Sequence, residues 1–196
     1  MVKRGIKLPE GITADTLQTS SSLSSYAIVE LKKSGLRGRA NIYAKEPCFF
    51  RIEVLGPFDK MVSLIVSDCE GFSVYDGKDF KYYDLNAVPY PITFHVEEVV
   101  SVLTGRSVRG DLSAFEKNGY EISFDKDGFL SEVKRDKTVR GANSLTAEIK
   151  DYKYMDGFAV PHSISLDFTG DELKIFYRDV EVNPELAENI FTHPLN

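Results

Sequence analysis

Apolar and polar residues alternate along most of this 196-residue chain, and this alternation leaves few folds open. A period of two places successive side chains on opposite faces of a β-strand, so it is typical of strands with one buried face. The alternating segments are separated by pairs such as Asp76-Gly77, Asp127-Gly128 and Gly170-Asp171, where glycine accepts the positive φ of a hairpin turn. We therefore predict a mainly β protein whose strands form one antiparallel sheet.

The alternation predicts eleven strands in a single domain at residues 26–196, after an N-terminal segment at 1–25. A domain of this length buries roughly 70% of its unfolded surface. The predicted strands are residues 26–32, 37–44, 49–55, 61–67, 72–75, 80–83, 120–124, 130–134, 145–154, 160–168 and 173–182.

Two segments depart from the alternation and favour helix. Residues 13–25 have a weak helical pattern. The stretch 91–105 has a stronger one, because its apolar residues recur at intervals of three and four positions and would form one stripe. It begins with proline and ends with glycine, which suit the two ends of a helix. We expect this helix to cover the concave face of the sheet, with Glu97 and Glu98 facing water.

The concave face is predicted to enclose an apolar cavity. Eleven strands and two short helices enclose more volume than side chains easily fill, and barrels of more than eight strands commonly hold a ligand or an internal helix. The alternative is a closed β core filled by the same side chains. The predicted lining residues are Phe50, Ile52, Val54, Val62, Leu64, Val66, Val96, Val99, Val100, Leu103, Ile122, Phe124, Ile164, Leu166 and Phe168.

Composition and motifs argue against several classes of protein. A formal net charge of −6 argues against nucleic-acid binding, which needs a basic surface. No apolar run approaches the roughly 18 residues of a membrane span. His95, His162 and His193 lack the spacing of metal ligands, and the chain has no phosphate loop, nucleophile elbow or dinucleotide-binding motif. We expect no catalysis, no metal and no cofactor. Arg106 and Arg109 follow the predicted helix, where they could meet lipid phosphate or simply favour its C-terminal end.

The hairpin at residues 51–65 has an unusual tip. Phe58 follows the Gly56-Pro57 turn and is itself followed by Asp59 and Lys60. Hairpin tips are normally polar because they project into water. An apolar tip therefore indicates contact with a membrane, an acyl chain or a partner protein, unless Phe58 folds back onto the edge of the sheet.

The sequence leaves open whether the two cysteines form a disulfide. A hairpin centred between Phe58 and Asp59 places Cys48 opposite Cys69. The apolar pattern favours a register shifted by one, with Ile52 beside Leu64, and this slip moves Cys69 to the other face. We therefore expect the two thiols to remain apart.

The order and spacing of several segments resemble the bacterial lipoprotein-localisation proteins LolA and LolB. The resemblance covers most of the chain from Tyr26 onward. It is carried by Lys45-Glu-Pro47, Phe50-Arg-Ile-Glu-Val-Leu-Gly-Pro57, Val88-Pro-Tyr-Pro91, Leu103-Thr-Gly105, Tyr120 to Lys134, Val160 to Leu166 and Asp179 to Pro184.

This resemblance implies a fold and a function. The family fold is an incomplete, half-open antiparallel barrel of eleven strands with helices at its mouth. The expected function is to bind the acyl chains of lipoproteins and help insert them in the outer membrane. The implied partners are acylated lipoproteins, a periplasmic carrier protein and the outer-membrane lipid surface. We expect a monomer on the periplasmic face of that membrane, itself a lipoprotein whose lipidated cysteine precedes this sequence. The alternatives are a structural or scaffold lipoprotein and a general binder of apolar ligands on the same fold.

Within the family, the chain resembles the receptor LolB more than the carrier LolA. Pro57 and Phe58 match the projecting loop of the receptor, which has an exposed leucine at its tip. The carrier has an arginine where this chain has Glu46, directly before Pro47, and that arginine helps to hold its lid closed. The ending from Asn183 to Phe191 looks more like that of the carrier.

Overall fold

The computed structural model describes residues 17, 18, 20–33, 35–84, 96–105, 119–135, 145–168 and 171–192. Within these ranges the chain forms one α-helix, α1 (Val96–Thr104), and short 3-10 helices at Pro57–Asp59 and Glu188–Phe191. The strands are β1 (Ser22–Leu31), β2 (Leu36–Lys45), β3 (Phe49–Leu55), β4 (Met61–Asp68), β5 (Gly71–Tyr75), β6 (Phe80–Asp84), β7 (Glu121–Phe124), β8 (Leu130–Arg135), β9 (Leu145–Lys150), β10 (Lys153–Met155), β11 (Phe158–Val160), β12 (Ser163–Phe168) and β13 (Asp171–Val182).

Eleven of these strands form one antiparallel sheet in the order β6-β5-β4-β3-β2-β1-β13-β12-β9-β8-β7. The first and last of the described strands, β1 and β13, lie side by side at its centre, where Leu23 pairs with Val182. Asn183 secures this junction, because its side-chain Oδ1 accepts hydrogen bonds from the backbone N–H of Ser21 at 2.9 Å and of Ser22 at 3.4 Å. Long-range pairing of β1 with β13 therefore joins the two halves of the sheet.

The sheet curls around α1 without closing into a barrel, since β6 and β7 are its two edges. The helix lies on the concave face and packs against β1, β2 and β3. Curling follows from the twist that every sheet accumulates over many strands. The prediction of a mainly β, half-open antiparallel barrel with a helix on its concave face is confirmed.

Two boundaries differ from the sequence prediction. The predicted helix at 13–25 is wrong for Ser22–Ser25, which begin β1 and pair with β2 on one side and β13 on the other. Partners on both sides outweigh a weak local helical preference. The predicted strand 145–154 ends at Lys150, because Lys153–Met155 and Phe158–Val160 form a separate hairpin. The segment that continues the main sheet is Ser163–Phe168.

The β3–β4 hairpin adopts the register that brings the cysteines together. Ile52 pairs with Ile65 and Phe49 pairs with Asp68, and Cys48 and Cys69 form a disulfide with their Cα atoms 5.1 Å apart. The expectation of separate thiols and of Ile52 beside Leu64 is therefore wrong. The register shifts only near the tip, at a bulge where Val54 pairs with Ser63 but Leu55 pairs with Met61.

Both faces of β4 carry apolar side chains, which explains the wrong register. Leu64 and Val66 point away from the helix into a second, smaller cluster around Phe191, whose ring centroid lies 5.4 Å from that of Phe49. The C-terminal segment is held there by a hydrogen bond that Arg51 Nη1 donates to the carbonyl of Ile190 at 3.1 Å. A strand buried on both faces has no polar face to indicate which residues point inward.

Candidate ligand cavity

A cavity of about 140 Å³ lies between α1 and the concave face of the sheet. Its walls come from both halves of the curled sheet and from the helix, so no single hairpin forms it. Almost all of the wall is apolar. The lining residues are Phe50, Ile52, Ile65, Phe72, Val74, Val96, Glu98, Val99, Val102, Leu103, Tyr120, Val133, Ala147, Ile164, Leu166, Leu173 and Ile175.

Seven of the residues predicted from the sequence line this cavity. They come from one strand of the first half, from the helix and from one strand of the second half: Phe50, Ile52, Val96, Val99, Leu103, Ile164 and Leu166. The hydrophobic pattern therefore correctly indicated which faces turn inward on β3 and β12, and it identified three of the α1 residues on the cavity wall.

The prediction for β4 is wrong. Leu64 and Val66 lie on the outer face, and Val62 is the extra residue of the bulge between Ser63 and Met61. The residue of β4 that lines the cavity is Ile65. This error and the missed disulfide have one cause, because a one-residue slip in register exchanges the two faces of a strand.

Four further predicted residues lie elsewhere, and the side chain of a fifth is outside the described part of the structure. Val54, Val100 and Ile122 pack in or against the main hydrophobic core and do not line the cavity. Phe124 is 43% exposed, next to a bulge between Ser123 and Phe124 in the pairing of the edge strand β7. The side chain of Phe168 lies outside the described residues.

Sequence reasoning missed all of the cavity wall contributed by β5, β8, β9 and β13. Each of these residues lies on a strand whose alternation was recognised. The sequence did not indicate which face of that strand turns toward the cavity. The missed residues are Phe72, Val74, Val133, Ala147, Leu173 and Ile175. Their direction depends on the pairing of each strand with its neighbours, which local sequence does not determine.

One part of the cavity wall is polar. Glu98 is only 4% exposed and lines the cavity, which corrects the expectation that it faces water, whereas Glu97 is exposed. The hydroxyl of Tyr120 donates a hydrogen bond to Glu98, and burial, followed by this carboxylate, raises the pKa of Tyr120 far above its usual range. Arg135 stacks on the same ring with its Cζ 4.8 Å from the ring centroid.

The helix is fastened to the sheet at its C-terminal end. The hydroxyl of Tyr177 on β13 donates a hydrogen bond of 3.1 Å to the carbonyl of Leu103. The full burial of Tyr177 raises the pKa of its hydroxyl well above the ordinary value, so the group remains a donor. Gly105 then ends the helix with a φ of +69°, as its position in the sequence predicted.

The tip of the β3–β4 hairpin projects into water. Phe58 is fully exposed and adopts a left-handed conformation, with φ 61° and ψ 29°. Asp59 is also left-handed, and its carboxylate forms an ion pair of 2.6 Å with Arg39 on β2. Left-handed backbone is unfavourable for a bulky residue, by roughly 1–2 kcal/mol. Phe58 thus lacks both apolar contacts and a relaxed backbone.

The remaining candidates show no catalytic arrangement in the part of the chain that the structure describes. His162 is 9% exposed, and burial lowers its pKa, while its Nδ1 lies 3.2 Å from the carbonyl oxygen of Val160. His95, His193, Arg106 and Arg109 lie outside the described residues. Within those residues, no group of three or more His, Cys, Asp or Glu side chains is placed to hold a metal ion.

The described part of the chain contains no helix that is both long enough and apolar enough to cross a membrane.

The fold matches several solved structures, although no protein-family model and no curated protein matches the chain. A LolA superfamily protein from Nitrosomonas europaea superposes with a TM-score of 0.55 at 10% identity, over 94% of this chain and 96% of that one. A DUF1329 family protein from Desulfovibrio piger gives 0.53 at 13% identity, over 93% and 94%. A domain from Vibrio parahaemolyticus, assigned to outer membrane lipoprotein sorting, gives 0.53 at 16% identity, over 87% and 89%. At these identities the likeness establishes the fold.

Proposed function

We propose that this chain, which has the LolA superfamily fold, binds acyl chains of lipoproteins in the cavity under α1 and helps to insert them in the outer membrane. The observation that carries the proposal is the apolar cavity of about 140 Å³ on the concave face. An apolar cavity of this size has room for a molecule about as large as benzene. The described conformation therefore accommodates the first few carbons of an acyl chain.

Movement of α1 away from the sheet would make room for a longer acyl segment. The helix has only nine residues, so it can shift as one rigid element. Each additional methylene that enters the cavity contributes about 0.8 kcal/mol of favourable transfer free energy. A few methylenes therefore offset the loss of the hydrogen bond from Tyr177 to Leu103, which contributes on the order of 1 kcal/mol.

Phe58 supports the membrane part of the proposal. A fully exposed Phe side chain that enters a bilayer gains about 2 kcal/mol, which is enough to orient the protein but not to anchor it. Residues held in unfavourable backbone conformations are found preferentially at functional sites. The left-handed backbone of Phe58 therefore favours a role for this side chain in contacting lipid.

This function places the protein at the periplasmic face of the outer membrane. Stable attachment there needs a covalent lipid, since one aromatic side chain is too weak an anchor. Its partners would be acylated lipoproteins, a periplasmic carrier that delivers them and the lipid surface that receives them. The exposed Phe58 and the absence of an arginine before Pro47 favour a receptor-like over a carrier-like role.

Transfer to lipid vesicles tests the role of Phe58. The protein is loaded with a synthetic triacylated lipopeptide and mixed with vesicles of phosphatidylethanolamine and phosphatidylglycerol. Phe58→Glu should reduce the transfer rate at least tenfold without loss of lipopeptide binding, because a charge at the tip opposes entry into the bilayer. Phe58→Leu should retain transfer, since its side chain is also apolar.

Tyr82→Glu is the matched control, because Tyr82 is another large exposed side chain, 49% accessible, on the edge strand β6. Equal transfer by wild type and Phe58→Glu would contradict the membrane role. Native mass spectrometry of protein purified from membranes distinguishes the alternative function. A co-purifying acylated peptide supports lipoprotein binding, whereas an empty protein supports a structural or scaffold lipoprotein.

A further inference from the structure

Arg135 is the least satisfied polar group in the described part of the molecule. Its side chain is 7% exposed, and it lies on the same face of β8 as the cavity residue Val133. Its Nε and Nη2 are fully buried, and among the described residues neither nitrogen has a hydrogen-bond acceptor. A buried guanidinium without acceptors is strongly unfavourable, so native structures normally supply one from protein, solvent or ligand.

The two unpartnered nitrogens are on the same edge of the guanidinium group. The N–H of Nε and one N–H of Nη2 point in parallel along this edge, with the spacing of two oxygens of a carboxylate or phosphate. The positive charge is permanent, because arginine does not lose its proton in proteins. The edge is therefore ready to bind an oxyanion in a bidentate manner.

Tyr120 connects Arg135 to the cavity. Tyr120 lines the cavity, carries the stacked guanidinium on one face of its ring and donates its hydroxyl proton to Glu98. Glu98 thus engages the hydroxyl end of the ring, and it is not the acceptor for Nε or Nη2 of Arg135. Arg135 does not itself line the cavity, but it stacks on a ring that does, and its two unpartnered nitrogens carry a positive charge.

We infer that the cavity takes a ligand with an apolar tail and an anionic head, and that Arg135 binds the carboxylate or phosphate oxygens of that head. This inference rests on the proposed function, since it assumes that an acyl chain occupies the cavity. It adds that the ligand carries a negative charge at one end of the chain, with the head reaching past the edge of the Tyr120 ring.

Binding of matched medium-chain ligands tests the inference. Decanoate and decanol have tails of equal length and differ in the head group, and isothermal titration calorimetry measures both. Wild type should bind decanoate at least tenfold more tightly than decanol, because hydrogen bonds to charged groups in a desolvated site are strong. Arg135→Met should remove this preference and leave decanol binding unchanged.

Two further variants separate binding from folding. Arg135→Lys retains the charge but loses the bidentate edge, so it should keep only part of the preference for decanoate. Arg178→Met removes an exposed arginine of β13 and should bind both ligands as wild type does. Circular dichroism melts establish that each variant is folded, and if Arg135→Met is not, Arg135→Lys provides the comparison.

The outcomes separate this inference from the proposed function. If neither ligand binds wild type, acyl-chain binding itself fails. If decanol binds and the Arg135 variants show an unchanged ratio of the two affinities, only the inference is overturned. Inorganic phosphate that binds alone, in an Arg135-dependent manner and without a tail, would also overturn it, because the site would then recognise a free anion.

Discussion

Gly105 illustrates at the scale of one residue how closely the helix is fitted to the sheet. With a φ of +69° it occupies a backbone region that other residues rarely adopt. A Cβ built at this position would lie 2.6 Å from Cδ of Pro161 and 3.0 Å from the carbonyl oxygen of Ala159. The end of α1 is thus in contact with the segment that leads from the small β10–β11 hairpin into β12.

We predict that Gly105→Ala lowers the free energy of unfolding by about 2 kcal/mol or more, from the left-handed backbone and the steric overlap together. Urea denaturation measures the change. Gly35→Ala is the matched control, because Gly35 has a φ of +65° but no atom within 4 Å of the added Cβ. It should cost about 1 kcal/mol, the contribution of the backbone alone. Equal losses at both positions would show that the contact with Pro161 is unimportant.

At the scale of elements, the β3–β4 hairpin combines three features: a disulfide at its base, a bulge near its tip and an exposed aromatic residue at the tip. The disulfide joins Cys48 to Cys69 across a separation of 21 residues. The outer face of the hairpin is covered by Phe191, and its inner face contributes Ile52 and Ile65 to the cavity. The tip is therefore presented on a well-supported pair of strands.

We predict that reduction of the disulfide lowers the free energy of unfolding by about 3 kcal/mol, because closing a loop of this length restricts the unfolded chain. Urea denaturation with and without reductant measures the difference. The double variant Cys48→Ala, Cys69→Ala should have the lower stability and no response to reductant. Two free thiols in the denatured, unreduced protein would refute the pairing.

The register of this hairpin marks the limit of what local sequence could predict. Alternation identified each strand of the main sheet to within a few residues, and on β3 and β12 it also identified the inward face. On β4 it failed, because Leu64 and Ile65 are both apolar and lie on opposite faces. Either register buries apolar side chains, so the choice depends on the bulge at Val62 and on Phe191, which is distant in sequence.

At the scale of the whole molecule, the curled sheet has one apolar core on its outer face and another on its concave face. In the outer cluster Leu64, Val66 and Phe191 are almost completely buried, whereas the concave side retains a cavity of about 140 Å³ beneath α1. Unfilled apolar space is unfavourable for stability, by roughly 24 cal/mol per Å³ where a side chain has been removed. Persistence of such a space is expected where it serves ligand binding.

We predict that Ala147→Leu raises the free energy of unfolding by about 1 kcal/mol and weakens decanol binding at least tenfold, because its side chain would occupy the cavity. Ala147 is 3% exposed and lines the cavity. Thermal melts and calorimetry measure the two effects. Ala40→Leu is the control, since Ala40 is completely buried in the packed core away from the cavity, and overpacking there should cost about 1–3 kcal/mol. If Ala147→Leu instead lowered the free energy of unfolding, the cavity next to Ala147 would already be filled.

The sequence by itself determined that this chain forms a large antiparallel sheet with a helix ended by Gly105, because strand alternation, hairpin turns and helix ends are local properties. It also placed Phe58 at a hairpin tip. Only the tertiary structure decided which face of β4 turns inward, that Cys48 meets Cys69 and that Glu98 is buried beside Tyr120 and Arg135. These features depend on contacts between segments far apart in the chain, where the gain from long-range packing outweighs what each segment prefers alone.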